Sequence, residues 1–325
     1  QYLALVLSGL IFFGGLAVLG SRWLPGAVGG LFARKVSAEV KGQIWSLNWP
    51  ALGTQVCERV SVLSDNLIVA CLLGTARVVP FFLTQRLVSV SAGVTSLVGH
   101  SAWAGFAELR AQGRQELFNR RLVELTRLVS ILGAALLAPV LAYNEGFVSL
   151  WVGSHLYGGR ALTLAAGGVA FGSGVLQLWR NVLVGTGEVR QMVVIEAAHA
   201  TVNLAGSLAF TWWLGLPGAV LGTLLAMGLT QAWYYPILLQ RNYGIRTYEL
   251  ISAVLAPLGA GIAYSAAAAW LALQFPITTW VDLLGRLALS VLLFLAAAFF
   301  VLLSHAEREE LVRHVRVTLG SGGGA

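Results

Sequence analysis

Apolar residues dominate long uninterrupted stretches of this chain, and polar residues gather between them. Runs that could cross a bilayer cover residues 3–19, 44–73, 78–103, 125–141, 161–184, 192–214, 219–239, 250–273 and 281–303. Each is near the length of about 20 residues that a helix needs to traverse hydrocarbon. The pattern predicts an all-α polytopic membrane protein of about nine transmembrane helices. A soluble core could not hide so many apolar runs, whereas bilayer burial accommodates all of them.

Composition agrees. The chain of 325 residues is 57% hydrophobic and 11% charged, well under the roughly 25% charged content of soluble domains. Its formal charge of +7 falls unevenly between the loops. Arg22, Arg34, Lys35, Lys41, Arg110, Arg114, Arg120, Arg121, Arg127, Arg190, Arg241, Arg246, Arg308, Arg313 and Arg316 fall on one side, Arg77 and Arg160 on the other. The positive-inside rule makes the first side cytoplasmic, with the C-terminus there, so the net charge calls for no nucleic acid. Residues 3–19 lack the flanks of a signal peptide and read as a span. An odd number of spans ending in the cytoplasm starts the chain outside, as expected of one that lacks earlier helices at its N-terminus.

Two basic segments break the apolar pattern. Residues 106–127, "FAELRAQGRQELFNRRLVELTR", and the tail "HAEREELVRHVRV" mix apolar and charged positions as amphipathic helices on the inner membrane surface do. Cys57 and Cys71 on one helix would be about 21 Å apart, too far for a disulfide. No zinc-ligand spacing, Walker or GxSxG motif occurs, and neither a metal site nor catalytic residues are expected.

The informative residues are ionisable ones inside spans, each costing about 2.5 to 3.5 kcal/mol at a helix centre. Glu58, Arg59, Asp65, Arg86, Arg180, Glu196 and Arg286 are of this kind. Helical spacing puts Gln55, Glu58 and Asp65 on one side of their span, with Arg59 turned about 100° away. Gln177, Arg180 and Asn181 form one stripe, and Glu196, His199 and Asn203 another, while Gln85, Arg86 and Ser89 add a further polar helix. Such stripes imply a hydrated interior cavity, or else interhelical pairs such as Arg180 with Glu196 that fix packing. Asp282 and Arg286, four apart, are expected to pair with each other.

The order of several segments adds a resemblance. "LSDNLIVACLLGTARVVPFFLTQRL", "GFAELRAQGRQELFNRRLVELTRL", "VSLWVGSHLYGG", "VLVGTGEVRQ" and "VNLAGSLAFTWWLGLPGAVLGTLLA" resemble polysaccharide transporters of the multidrug/oligosaccharidyl-lipid/polysaccharide exporter superfamily, O-antigen-type lipid-linked oligosaccharide flippases above all. The resemblance implies a two-lobed transporter: residues 1–43 the last helix of the first lobe and a cytoplasmic linker, 44–243 the six-helix second lobe, 244–304 two additional C-terminal transmembrane helices, and 305–325 a cytoplasmic tail. It implies flipping of undecaprenyl-diphosphate-linked oligosaccharide in the bacterial cytoplasmic (inner) membrane by alternating access, with polysaccharide polymerase and assembly proteins as partners. No cofactor is implied beyond H⁺ or Na⁺ as coupling ion.

Residue chemistry then divides the roles. Arginine offers a planar fork to phosphate oxygens, so Arg59, Arg86 and Arg180, with Gln177 and Asn181, are the substrate-binding candidates. Glu58, Asp65, Glu196 and His199 are the ion-coupling candidates. The rival readings are a multidrug cation antiporter of the same fold, which would favour carboxylates over arginines, and a membrane polysaccharide polymerase or ligase. Such an enzyme is expected to carry a long outer loop with catalytic Arg or His, and the connection around 143–160 is short.

Overall fold

The computed structural model describes residues 14–15, 38–303 and 308–309, and the expected span 3–19, the linker before residue 38 and the tail beyond 309 lie outside the described residues. The chain divides into two compact units, 1–49 and 50–325. The described residues contain no strand, and their α-helices are α1 (Ala38–Leu73), which begins in the first unit, and α2 (Val78–Ala111), α3 (Gln115–Val152), α4 (Arg160–Gly185), α5 (Val189–Leu214), α6 (Leu216–Leu229), α7 (Gln231–Tyr243), α8 (Thr247–Gln274) and α9 (Trp280–Val301) in the second. From α2 onward seven helical segments, with α6 and α7 counted together, are long and apolar enough to cross a membrane. The protein is an all-α polytopic membrane protein.

Its surface is apolar where a soluble protein's is polar. Val281 is 82% exposed and Val301 79%, while Thr211, Asn203, Ser207, Thr126 and Asn144 are fully buried. That inversion is what a lipid solvent selects, since hydrocarbon tolerates exposed valine and penalises exposed hydroxyls. Trp151, Trp212, Trp213, Trp270 and Trp280 are all exposed at helix ends on one face, the arrangement of an interfacial aromatic belt. The opposite, basic face carries Arg110, Arg114, Arg120 and Arg121.

α3 is the axis of the bundle. Its buried side chains run from Phe118 to Val148. Near the basic face Phe118 and Leu122 pack with Trp179, Tyr235 and Leu250. Toward the opposite face Leu137 and Val140 pack with Phe81, Leu162 and Ala219. On its remaining side Ile131, Ala134 and Ala135 meet Phe294, Ala298 and Leu303, so α9 lies along α3. The helix continues through Pro139, as α8 does through Pro257.

Residues 106–127 are not a surface helix. α2 runs on through Phe106 to Ala111, a turn at Gly113 (φ 68°) reverses the chain, and Gln115 onward opens α3. Phe106, Phe118 and Leu122, the apolar residues that suggested an interfacial face, are instead buried among neighbouring helices. The amphipathic pattern reported a helix end packed on one side. The expected span 219–239 is present as one membrane-crossing segment, Leu216–Tyr243, but its helix is broken at Thr230 (φ −120°, ψ −73°) into α6 and α7. The Thr230 hydroxyl donates to the Ala226 carbonyl at 2.6 Å, a back-bond that competes with the helix ladder, and Pro236, inside α7, removes a further backbone donor.

The polar groups at the face opposite the basic one are knotted together. Asn144 Nδ2 donates to the Thr84 carbonyl at 2.8 Å and to Thr163 Oγ1 at 3.0 Å, and the Gly158 amide donates to Thr84 Oγ1 at 2.7 Å. Tyr157 joins through Thr163, and burial pushes its phenol up, which keeps the hydroxyl protonated. These bonds tie the turn between α3 and α4 to α2.

The closest helix contact is α5 with α6, where glycine is required. A Cβ at Gly222 would sit 2.2 Å from the Ser207 amide nitrogen, and one at Gly218 2.1 Å from the Phe210 carbonyl. Gly222→Ala should therefore destabilise the fold by about 1 to 3 kcal/mol or more through overpacking. Gly93→Ala, with nothing within 4 Å, should change little. Unfolding midpoints in detergent would compare them, and equal midpoints would refute the close packing.

Candidate functional site

One continuous buried polar stripe runs along α5. Glu196, His199, Asn203, Ser207 and Thr211 are each at most 8% exposed, and their spacing keeps one helix face turned inward over about 22 Å. α6 and α1 face it: Gly206, Gly218 and Gly222 let α5 and α6 approach closely, and α1 turns Ser61, Ser64 and Asp65 toward it. A cavity of about 400 Å³ opens along this stripe, lined by Ser61 and Asp65 from α1, Gln85 and Ser96 from α2, Gln177 and Arg180 from α4, and Gln231 and Tyr235 from α7.

Toward the basic face the cavity holds an ion pair. Arg180 Nε stands 3.2 Å from Glu196 Oε1, with side-chain exposures of 15% and 5%. Tyr235 donates its hydroxyl to the same oxygen at 2.6 Å, and Gln231 Nε2 donates to Oε2 at 3.1 Å. The break at Thr230 aims Gln231 and Tyr235, one turn apart on α7, at this carboxylate. Glu196 is thus desolvated but fully coordinated, the condition under which a buried charge is tolerated. His199, one turn along α5, has Nδ1 3.3 Å from the Thr230 hydroxyl.

The other end is built around Asp65. Ser207 Oγ is 3.2 Å from Oδ1, and Thr223 Oγ1 is 3.2 Å from Oδ2. Both hydroxyls also reach the Ala219 carbonyl, at 2.7 and 3.4 Å, and Asn203 Nδ2 donates to Thr223 at 2.7 Å. No ion pair to Asp65 is found among the described residues. Each hydroxyl has a single proton. If Ser207 gives its proton to Ala219, only a protonated Asp65 can complete the Ser207 contact; if both hydroxyls turn to Asp65, an ionised carboxylate is satisfied. Rotation of two hydroxyls accommodates either state.

Of the residues singled out in the sequence, Asp65, Gln177, Arg180, Glu196 and His199 line this cavity. Arg59 and Arg86 do not, and their expected place beside Arg180 is corrected. Arg59 borders a separate lateral groove between α1 and α5, with Leu63 and Leu204; Gln55, expected on the face of Asp65, lines this groove too, one turn before Arg59. Arg86 is exposed on the outer face of α2, one residue past Gln85, which does reach the cavity. Asn181 turns toward α2, accepting from Gln177 at 3.0 Å and lying 3.4 Å from His100 Nδ1. The side chain of Glu58 lies outside the described residues. Asp282 and Arg286 pair at 2.6 Å, as their spacing predicts.

Sequence reasoning missed Ser207, Thr223, Gln231 and Tyr235. Ser207 was legible, since it extends the Glu196, His199, Asn203 spacing by another turn. Thr223 stands alone in an apolar run, and Gln231 and Tyr235 depend on the break at Thr230. Among the described residues no group of three or more His, Cys, Asp or Glu could hold a metal ion. Compared with known proteins, the chain matches no family model, no curated protein and no solved structure.

Proposed function

We propose that this protein is a transporter which moves an anionic lipid-linked oligosaccharide, of the undecaprenyl-diphosphate type, across the bacterial cytoplasmic membrane by alternating access coupled to H⁺ or Na⁺. The observation that carries the reading is a membrane-embedded polar cavity with a guanidinium at one end and, at the other, a carboxylate supplied only with hydroxyl donors. A cavity of about 400 Å³ accommodates a diphosphate and its first sugar, while a longer glycan and the polyprenyl chain must lie outside it. Arg180 is the group for phosphate oxygens, once Glu196 yields its place. Asp65 is the group for the coupling ion, because its network is complete both with and without a proton. The role is that of a carrier and not of an enzyme.

The test is reconstitution. The full chain in proteoliposomes should translocate a fluorescent undecaprenyl-diphosphate sugar when a proton or sodium gradient is applied. Movement of organic cations in place of anionic lipids would favour the multidrug antiporter, and a gradient-independent change in the glycan would favour the polymerase or ligase.

The asymmetry of arginine and lysine assigns the basic face to the cytoplasm. Arg114→Cys, in a chain with Cys57 and Cys71 changed to Ser, should react with a membrane-impermeant maleimide in inverted vesicles but not in intact cells. Labelling from outside intact cells would reverse the topology.

A further inference from the structure

The lateral groove between α1 and α5 has a volume of about 600 Å³. Val60, Leu63 and Leu67 of α1 and Leu204 of α5 line it, and among its described lining residues Arg59 alone is charged, with Gln55 one turn before it. Its apolar members are open, Leu63 and Leu67 each being 65% exposed. α1 lies along α5, which crosses the membrane from Gln191 to Leu214: a Cβ at Gly53 would stand 3.5 Å from Val193, and Ser207 donates to Asp65. The groove is therefore inside the bilayer.

A guanidinium facing hydrocarbon is costly, and the depth of Arg59 shows which anion can answer it. Arg59 is 14 residues before Leu73, the last residue of α1, so it stands about 21 Å from the end opposite the basic face. In hydrocarbon about 30 Å thick, that leaves it about 9 Å inside the basic-face boundary. Side chains of a helix lean toward its N-terminus, which in α1 is the basic-face end, so Arg59 snorkels back to the level of Gln55 and toward the lipid phosphates. No hydrogen bond or ion pair to Arg59 is found among the described residues, and no described carboxylate lines the groove. A planar fork of N–H donors suits phosphate oxygens, and the Gln55 amide adds another donor.

The apolar part of the groove has the length of one acyl chain. From Gln55 to Leu67 the helix rises about 18 Å, and one leaflet of hydrocarbon is about 15 Å deep. We propose that the groove binds one anionic phospholipid of the basic-face leaflet, its phosphate on Arg59 and Gln55 and one chain along Val60, Leu63, Leu67 and Leu204. The lipid is a resident and not cargo on its way to the cavity: Leu63 and Asp65 lie about 200° apart around α1, so the helix itself walls the groove from the cavity. Seated there, the lipid fills the gap beside α5 and holds α1 where Ser64 meets Asn203 and Asp65 meets Ser207. Leaflet composition is thereby coupled to the geometry of the Asp65 network, whatever the cavity carries.

Native mass spectrometry of the full chain in a neutral detergent reads the site, with dioleoylphosphatidylglycerol and dioleoylphosphatidylcholine as competing probes. One phosphatidylglycerol should stay bound, preferred about fivefold over phosphatidylcholine. Arg59→Ala should abolish the preference and Arg59→Lys keep part of it, while Leu63→Trp, which fills the groove, should weaken both lipids. Arg241→Ala, outside the groove, should leave the preference intact. A phosphatidylglycerol with a photoreactive group at one chain end should label α1 near Leu67 or α5 near Leu204. Without lipid the unfolding midpoints of wild type and Arg59→Ala should agree; added phosphatidylglycerol should raise the first, as a ligand of the native state does, and not the second. A preference that survives Arg59→Ala, or labelling confined to other helices, overturns the site. Displacement of phosphatidylglycerol by equimolar undecaprenyl phosphate would make the groove a carrier-lipid site, and a dimer lost in Arg59→Ala would make it an interface between copies. Either result overturns the assignment to a phospholipid.

Discussion

Asp65→Asn is expected to abolish gradient-driven transport while leaving the chain folded. Asparagine is nearly isosteric with aspartate and can accept from Ser207 and donate to Thr223, the two partners Asp65 has at 3.2 Å. Loss of one charge-assisted hydrogen bond in exchange for neutral ones costs about 1 kcal/mol, too little to unfold the bundle. What asparagine cannot do is alternate between a proton-bearing and an ionised state. If Asp65 binds the coupling ion, uptake in proteoliposomes should fall to the level without a gradient, and the unfolding midpoint in detergent should move by a few degrees at most. Asp65→Glu keeps the titratable group and should keep part of the activity. Uptake by the asparagine variant that still responds to the ion gradient would remove Asp65 from the coupling mechanism.

This assignment shifts weight from Glu196 to Asp65, and the reason shows what a sequence can convey. The spacing of Glu196, His199 and Asn203 revealed a polar face, and the stripe at Gln177 and Arg180 revealed its neighbour, because helical periodicity alone brings such residues to one side. Helix existence was legible for the same reason: apolar runs of bilayer length have few alternatives. Periodicity carries no information on how far each helix is rotated about its axis in the bundle. Arg59 and Arg86 were therefore indistinguishable from Arg180 until packing turned them to other surfaces. Tyr235 was invisible as a partner because it reaches Glu196 only after the chain breaks at Thr230. A run of apolar residues through 219–239 gave no sign of that break except the isolated Thr230 hydroxyl and Pro236. Side-chain competition for a backbone carbonyl is decided by geometry that composition does not encode.

The Arg180 and Glu196 pair yields the second large effect, and it separates binding from packing. Removing the guanidinium in Arg180→Ala leaves a carboxylate that is 4% exposed with only Tyr235 and Gln231 to hold it. Breaking a buried pair from one side costs about 3 to 5 kcal/mol. Glu196→Gln keeps an acceptor for the Tyr235 hydroxyl but removes the charge that faces Arg180 at 3.2 Å, so it too should lower the unfolding midpoint. The double variant removes both charges and should regain most of the loss, with a coupling of roughly 1 to 3 kcal/mol measured by the mutant cycle. Stability recovered in this way says nothing of transport. If Arg180 also meets the anionic head of the cargo, the double variant will be folded and inserted yet unable to translocate the lipid-linked sugar. Arg180→Lys, which retains the charge without the planar fork, should translocate at a reduced rate. Recovery of translocation together with stability in the double variant would leave Arg180 a packing residue and move the search for the phosphate site to other nitrogen donors that line the cavity, His199, Gln177 and Gln85 among them.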